Sequence, residues 1–164
     1  MMEDKDRRAL DLAVGAGRLL LESGAEISRV EDTMHRITSY YGIPDSEQYV
    51  CSNTIIQTAI NGRRQMYAKV NHVPLSGVQL DKVDAVNQLS REIVQGKWPL
   101  EGAEQELERI KNLPGKSLFS QLAGGAIGSA GFCYLFGGTL IDCVAAFLAG
   151  LVLCFFLALI ERRQ

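Results

Sequence analysis

Charge is almost absent from one part of this chain. Of its 17 lysines and arginines and 19 aspartates and glutamates, Asp142 is the one charged residue between positions 117 and 160. A soluble core does not require so long an uncharged stretch, whereas the hydrocarbon of a bilayer disfavours ions and unpaired backbone groups. The distribution therefore predicts a cytosolic domain over residues 1–116 and a membrane segment over residues 117–164, with the lipid bilayer as a partner.

The sequence also lacks a basic excess. Its formal net charge is −2, and its lysines and arginines form no cluster beyond short pairs such as Arg7–Arg8. A protein that binds nucleic acid uses a basic face to displace counterions from phosphates. We therefore expect no nucleic-acid partner.

Motifs that would hold a metal or perform catalysis are missing as well. The four cysteines form no CxxC pair, and His35 and His72 have no second ligand at metal spacing. The serines lack the GxSxG pattern of an activated nucleophile. The sequence predicts no metal site, no cofactor and no catalytic residue.

No apolar run follows Met1, so the sequence indicates no signal peptide. Targeting would come from the apolar C-terminal segments, and the first domain would stay in the compartment where it is made. Residues 1–116 read as an α+β domain in which helices pack with a β-hairpin or a small antiparallel sheet. The helices are expected over residues 7–23, from the N-cap Ser28 to about Tyr41, over Asp81–Gln95 with Asp81 as the cap, and from Pro99 to about Lys111.

The strand pattern centres on Asn61-Gly62. A β-branched run over Tyr49–Ile60 precedes this dipeptide, and an alternating run from Arg63 to Val70 follows it. Asn-Gly between two such runs is a strong signal for a hairpin turn. A further short strand is possible between Asn71 and Leu80. In the preceding helix, Ser28 and Glu31 have the spacing of a capping box.

The membrane segment predicts a hairpin of two transmembrane helices, at about 118–136 and 142–160, joined by a tight turn at Gly137-Gly138-Thr139. Lysines precede the first helix and Arg162 and Arg163 follow the second, while the turn has no positive charge. The positive-inside rule then places both termini in the cytoplasm, with the hairpin in the inner membrane of a bacterium. A buried hairpin of a soluble protein is the alternative, which the near absence of charge disfavours.

Two features of the predicted hairpin could serve function. Gly124 and Gly128 form a GxxxG pair, extended by Gly131, which would let another helix approach closely; general tolerance of glycine in membrane helices is the alternative. Asp142 lies at the outer end of the second helix. It could carry a proton or contact substrate, or it could cap the first turn of that helix.

Four segments resemble the threonine/serine exporter family, in the family's own order. They are GRLLLESGAEISRVEDTM at residues 17–34, DKVDAVNQLSR at 81–91, FGGTLID at 136–142 and AAFLAG at 145–150. The resemblance covers the family's N-terminal domain and first two membrane helices. It implies a membrane protein that exports small amino acids or dicarboxylates, driven by the proton gradient.

The resemblance also implies site residues. The family's membrane aspartate falls on Asp142, and its polar signature falls on Glu22, Ser23, Gly24, Glu26, Arg29, Glu31 and Asp32. These acidic residues around Arg29 could form a polar site, although helix caps and solvated faces would also explain them.

Relatives in the family continue into further membrane spans, and two helices cannot enclose a polar pathway. We therefore expect this chain to be a subunit or truncated form of such an exporter, completed by a second membrane subunit or a homo-oligomer. A membrane-anchored cytosolic domain that binds a metabolite or acts as a hydrolase is the alternative function.

Overall fold

A computed structural model describes residues 4–60, 66–74, 77–114 and 118–161. Within them the chain forms six helices and three strands. In chain order these are α1 (Asp4–Glu22), α2 (Ile27–Tyr40), β1 (Ser46–Cys51), β2 (Thr54–Ile60), β3 (Met66–His72), α3 (Leu80–Val94), α4 (Leu100–Lys111), α5 (Leu118–Leu135) and α6 (Leu140–Glu161).

The chain divides into two compact units, Met1–Leu113 and Pro114–Gln164. The first unit contains four helices and the sheet, so the expected α+β character of the N-terminal part is confirmed. The second unit contains α5 and α6, which pack against each other.

Helix α1 is the centre of the first unit. It contacts α2, α3, α4 and β2, and residues on nearly all of its faces are buried, including Leu10, Ala13 and Leu20. Gly17 allows the close approach of α2, because a Cβ at this position would overlap the buried side chain of Met34. The structure buries a wider surface than the single stripe typical of an amphipathic helix, since helices and strands pack on several sides of α1.

The three strands form an antiparallel sheet in the order β1-β2-β3. The interpretation of Tyr49–Ile60 as one strand was wrong, because the run contains the end of β1, a turn at Ser52–Asn53, and β2. Serine and asparagine favour turns, but here they stand among β-branched residues and lack the Asn-Gly dipeptide that marked the other turn. The Asn61-Gly62 turn lies outside the described residues, but its flanking pair Ile60 and Met66 are register partners, as a hairpin requires.

Two predicted helix caps were wrong. Helix α2 begins at Ile27 after the N-cap Glu26, so Ser28 lies inside the helix. Its partner Glu31 instead accepts a hydrogen bond from the backbone N–H of Val50, with Oε1 2.9 Å from the nitrogen. Helix α3 follows the N-cap Gln79, so Asp81 lies in its first turn. Neither observed N-cap residue makes a side-chain hydrogen bond to its helix.

Two glycines end helices in the left-handed conformation. Gly24 and Gly96 follow α1 and α3 with positive φ angles of 78° and 76°. This left-handed conformation suits glycine, since a Cβ would be strained there. Among described residues 73–74 and 77–79, after His72, no further strand is present.

In the second unit, α5 and α6 form an antiparallel hairpin around Gly137 and Gly138. By length and composition, α6 is the one helix within the described ranges that could cross a membrane, over Leu140–Ile160. Helix α5 contains no charged residue, but its glycines, serines and glutamine lower its hydropathy. The helical hairpin is present, while the membrane-spanning character of α5 stays a prediction.

Candidate functional site

Asp142 lies in the first turn of α6 and is exposed. Its Oδ2 accepts hydrogen bonds from the backbone N–H of Thr139, at 2.9 Å, and from the Thr139 hydroxyl, at 2.7 Å. In return, the N–H of Asp142 donates to the Thr139 hydroxyl oxygen at 3.4 Å. These reciprocal contacts are those of a capping box. The arrangement is therefore the one expected if Asp142 caps α6, with the carboxylate also open to solutes.

The contact between α5 and α6 depends on small residues. A Cβ on Gly150 would lie 2.5 Å from Oγ of Ser129 and 3.1 Å from the backbone oxygen of Gly125. A Cβ on Gly125 would overlap the Sγ of Cys154. Gly125 and Ser129 are four residues apart on α5, and Gly150 and Cys154 are four apart on α6, so two small-xxx-small pairs face each other.

The glycines that the sequence singled out lie on another face. Among the residues that the structure describes, no atom outside the local helix lies within 4 Å of a Cβ placed at Gly124, Gly128 or Gly131. These three glycines do not pack against α6. The spacing of Gly125 and Ser129 was visible in the sequence, but pattern alone does not decide which of two adjacent glycine pairs faces the partner helix.

The polar signature residues of α1 and α2 have separate surroundings. Glu22 pairs with Arg18, with 2.7 Å between Oε1 and Nε, and Glu31 binds the backbone of β1. The hydroxyl of Ser23 is buried and has no hydrogen-bond partner among the described residues. Glu26, Arg29 and Asp32 are exposed. That these residues form one shared site around Arg29 stays a prediction.

A family model for threonine/serine exporters matches residues 11–164. The chain belongs to the threonine/serine exporter family. A threonine/serine exporter of Corynebacterium glutamicum is 32% identical to it over 145 residues, which cover 84% of this chain and 30% of that relative. The chain thus spans less than a third of the exporter's length. No solved structure matches it.

Because it belongs to this family, the chain is a membrane protein, as the distribution of charge predicted. It also favours a transport protein over an enzyme.

A polar cluster that the sequence reading missed lies between α1 and the sheet. Asp11 of α1 accepts hydrogen bonds at Oδ1 from Nζ of Lys69, at 2.5 Å, and from the Tyr67 hydroxyl, at 3.2 Å. Burial is the main cause that raises the pKa of Tyr67, and the adjacent Asp11 carboxylate raises it further. We call Asp11, Gln57, Tyr67 and Lys69 the inner-face cluster.

Gln57 is the most buried member of the inner-face cluster. It lies on the central strand β2, opposite Lys69 of β3 in the register, and its exposed fraction is 0%. Neither Nε2 nor Oε1 has a hydrogen-bond partner among the described residues. The signal in the sequence was Lys69 itself, a charged residue between the apolar positions Ala68 and Val70, which face outward.

A concavity lies at the C-terminal end of α2. It has a volume of about 520 Å³ and is lined by Lys5, Gly42, Pro99 and Leu100 together with three aromatic residues, Tyr40, Tyr41 and Trp98. The Tyr41 hydroxyl donates to the backbone oxygen of Trp98 at 3.2 Å, and burial raises the pKa of Tyr41 to about 12. The indole N–H of Trp98 is held by Glu92 at 2.8 Å. Both rings are therefore fixed by hydrogen bonds.

Proposed function

We propose that this chain is a component of a membrane exporter of small amino acids or dicarboxylates, with residues 1–116 in the cytosol and residues 117–164 in the inner membrane. The observation that carries the proposal is the surface of α6. Over Leu140–Ile160 this helix is strongly apolar, and only 11% of its most apolar stretch is buried within the chain. Such a surface is unfavourable in water and suits contact with lipid or other membrane helices.

Helix α5 would form the second span. Its 18 residues give a length of about 27 Å, close to the roughly 30 Å of a hydrocarbon core. The turn at Gly137 and Gly138 is short and α5 packs antiparallel to α6, so the two helices would cross the membrane in opposite directions. Both ends of the hairpin would then lie on the same side, which the flanking charges predict to be the cytoplasm.

Two helices would leave the transport pathway incomplete, since each exposes most of its surface. We therefore propose that a second membrane subunit or further copies of the chain complete the bundle. The face with Gly124, Gly128 and Gly131 is free to receive another helix at close range. Asp142, at the outer end of α6, is the proposed contact for a substrate or proton.

Export of labelled threonine tests this proposal. Cells without their own threonine exporters would express the chain alone, or together with the membrane protein encoded next to it. A chain that ends at residue 114, without α5 and α6, is the matched control. We expect efflux from cells that contain both proteins and none from the control.

Efflux from the chain alone would indicate that its own copies complete the bundle. Absence of efflux in both settings, with normal membrane insertion, would contradict the transport proposal. The alternative of a membrane-anchored metabolite-binding domain would then be preferred, and the unpaired amide of Gln57 is the observation that favours it.

A further inference from the structure

One face of the three-stranded sheet is apolar and exposed. Helices α1 and α2 pack on the opposite face, and every second side chain of the strands points away from them. We call the outward apolar residues the outer sheet face: Tyr49 of β1, Ile56 and Ile60 of β2, and Met66, Ala68 and Val70 of β3. We propose that this face binds the same face of a second copy of the chain, so that two first units form a dimer.

The first step is the polarity of β3, which is opposite to that of a strand with one face in water. An antiparallel sheet that is solvated on one side directs apolar side chains inward and polar ones outward. In β3 the inward residues are Tyr67, Lys69 and Asn71, and the apolar residues point outward. A shift of one residue would exchange the two sets. The strand keeps its register, with Lys69 bound to Asp11, so its apolar side is available to another surface.

The second step is the size of the outer sheet face. Tyr49, Ile56 and Val70 are register partners and form one row across the sheet. Ile60 and Met66 form another row. These five residues are between 37% and 77% exposed. With the alanine between the two rows they expose roughly 600 Å², as much as the largest apolar patch on a typical monomer. Two copies in contact would bury about 1,200 Å², which reaches the range of specific interfaces.

The third step is the charge of the sheet surface, which favours a second copy as the partner. Among the outward residues of the three strands, Glu47 is the one aspartate, glutamate, lysine or arginine, and it lies on the edge strand β1. A surface with so little charge does not repel its own copy. Its strands also direct no lysine or arginine outward to bind an anionic lipid surface. Two such faces can pack as stacked sheets about 10 Å apart.

The fourth step is the symmetry of such a pair. A two-fold contact uses the same patch on both subunits. An axis that serves the whole outer sheet face passes near its centre, where Thr58 lies between Ile56 and Ile60 on the central strand. Residues beside a two-fold axis meet their own counterparts, so Thr58 would lie close to Thr58 of the second copy.

Cysteine cross-linking of the full chain in its membrane tests this contact. The four native cysteines would be replaced by alanine, and Thr58→Cys would supply a single thiol at the centre of the face. We expect oxidation with copper–phenanthroline to convert most of these chains into a disulfide-linked dimer. Gln105→Cys is the matched control, because Gln105 is exposed on α4, which packs on α1 and α3 rather than on the sheet. It should stay monomeric under the same oxidation.

Val70→Lys, added to the Thr58→Cys chain, tests whether the outer sheet face holds the dimer. Val70 is 67% exposed, so we expect an unchanged unfolding midpoint. Pairing would bring a lysine from each copy into one apolar interface, and we expect the cross-linked fraction to fall about tenfold. Val94→Lys makes the same change at an exposed valine of α3 and should leave cross-linking at the level of the Thr58→Cys chain.

Absence of the Thr58→Cys cross-link would overturn the proposal, as would a cross-link that Val70→Lys does not weaken. Protection of the Thr58→Cys thiol from maleimide, without a cross-link, would show that lipid or a different protein covers the face, and this also excludes pairing of copies. The argument concerns the first unit and does not depend on transport. Efflux is measured separately, so a failed cross-link and a failed transport test give distinguishable results.

Discussion

At the scale of single residues, Asp142 combines two properties that rarely coincide. Its carboxylate is the one charge in a long apolar stretch, yet its hydrogen bonds go to Thr139, three residues earlier. Thr139 precedes the first residue of α6, so both partners belong to one capping box. Charge and cap can therefore be separated by changing one partner at a time.

Asp142→Asn removes the charge and keeps the cap, because the amide oxygen still accepts from Thr139. Thr139→Ala keeps the charge and removes the partner, at a cost of about 1 kcal/mol to the helix. Because the carboxylate is the proposed contact for a substrate or proton, we expect Asp142→Asn to insert normally and to lose threonine efflux. Efflux at the wild-type level from a normally inserted Asp142→Asn protein would contradict this and leave capping as the role of the carboxylate.

At the scale of elements, α5 offers two glycine faces with different tasks. Gly125 faces α6, where Gly150 and Ser129 leave no room for a Cβ. Gly124, Gly128 and Gly131 face away from α6 with open space around them. Substitutions on the two faces should have opposite effects on the hairpin and on its assembly.

Gly150→Leu should destabilise the hairpin by about 1–3 kcal/mol, since the added atoms meet the backbone of α5. Gly128→Leu should leave the hairpin intact, because it meets open space, but should abolish co-purification with the second membrane subunit. Thermal unfolding followed by circular dichroism in detergent measures the first effect, and affinity co-purification measures the second. Normal co-purification of Gly128→Leu would show that this face is not an interface.

Local signals predicted much of the element pattern. Gly24 and Gly96 mark the ends of α1 and α3, because a left-handed conformation is required there and glycine adopts it readily. A single glycine therefore indicates where each helix ends. The contact of Glu31 with β1 was not predictable in this way. It depends on how the sheet packs against α2, which no short window of sequence contains.

The candidate sites differ in the same way, since one has a local signal in the sequence and the other depends on packing. Asp142 stood out because a charge in an apolar stretch is a local anomaly. The inner-face cluster brings Asp11 of α1 into contact with Lys69 of β3, although the two residues are far apart in the sequence. Its members are ordinary polar residues in the sequence, and only the register of the sheet brings Gln57 beside Lys69.

At the scale of the whole molecule, orientation in the membrane decides what each unit can do. A cytosolic first unit would meet amino acids in the pool from which they are exported. The charges predict this orientation, because Lys111 and Lys116 precede the hairpin, Arg162 and Arg163 follow it, and the turn carries no positive charge. The turn would then lie on the outer side of the membrane.

Native and introduced cysteines can test this orientation. The four native cysteines would be replaced by alanine, and one thiol would be restored at a time. Cys51 is exposed on β1, and Leu140, beside the turn, is 80% exposed, so Leu140→Cys supplies the second position. We expect a membrane-impermeant maleimide to label Leu140→Cys in intact spheroplasts and to label Cys51 only after permeabilisation.

Labelling before and after detergent gives each position its own control for thiol reactivity. The reverse pattern would place the first unit outside the cell and contradict the positive-inside argument. Protection of both positions in intact spheroplasts would mean that the turn does not reach the outer surface. An antiparallel pair that spans the bilayer must expose its turn on the side opposite its ends. In that case α5 would therefore not cross the membrane, and a single-pass or interfacial arrangement of α6 would replace the hairpin.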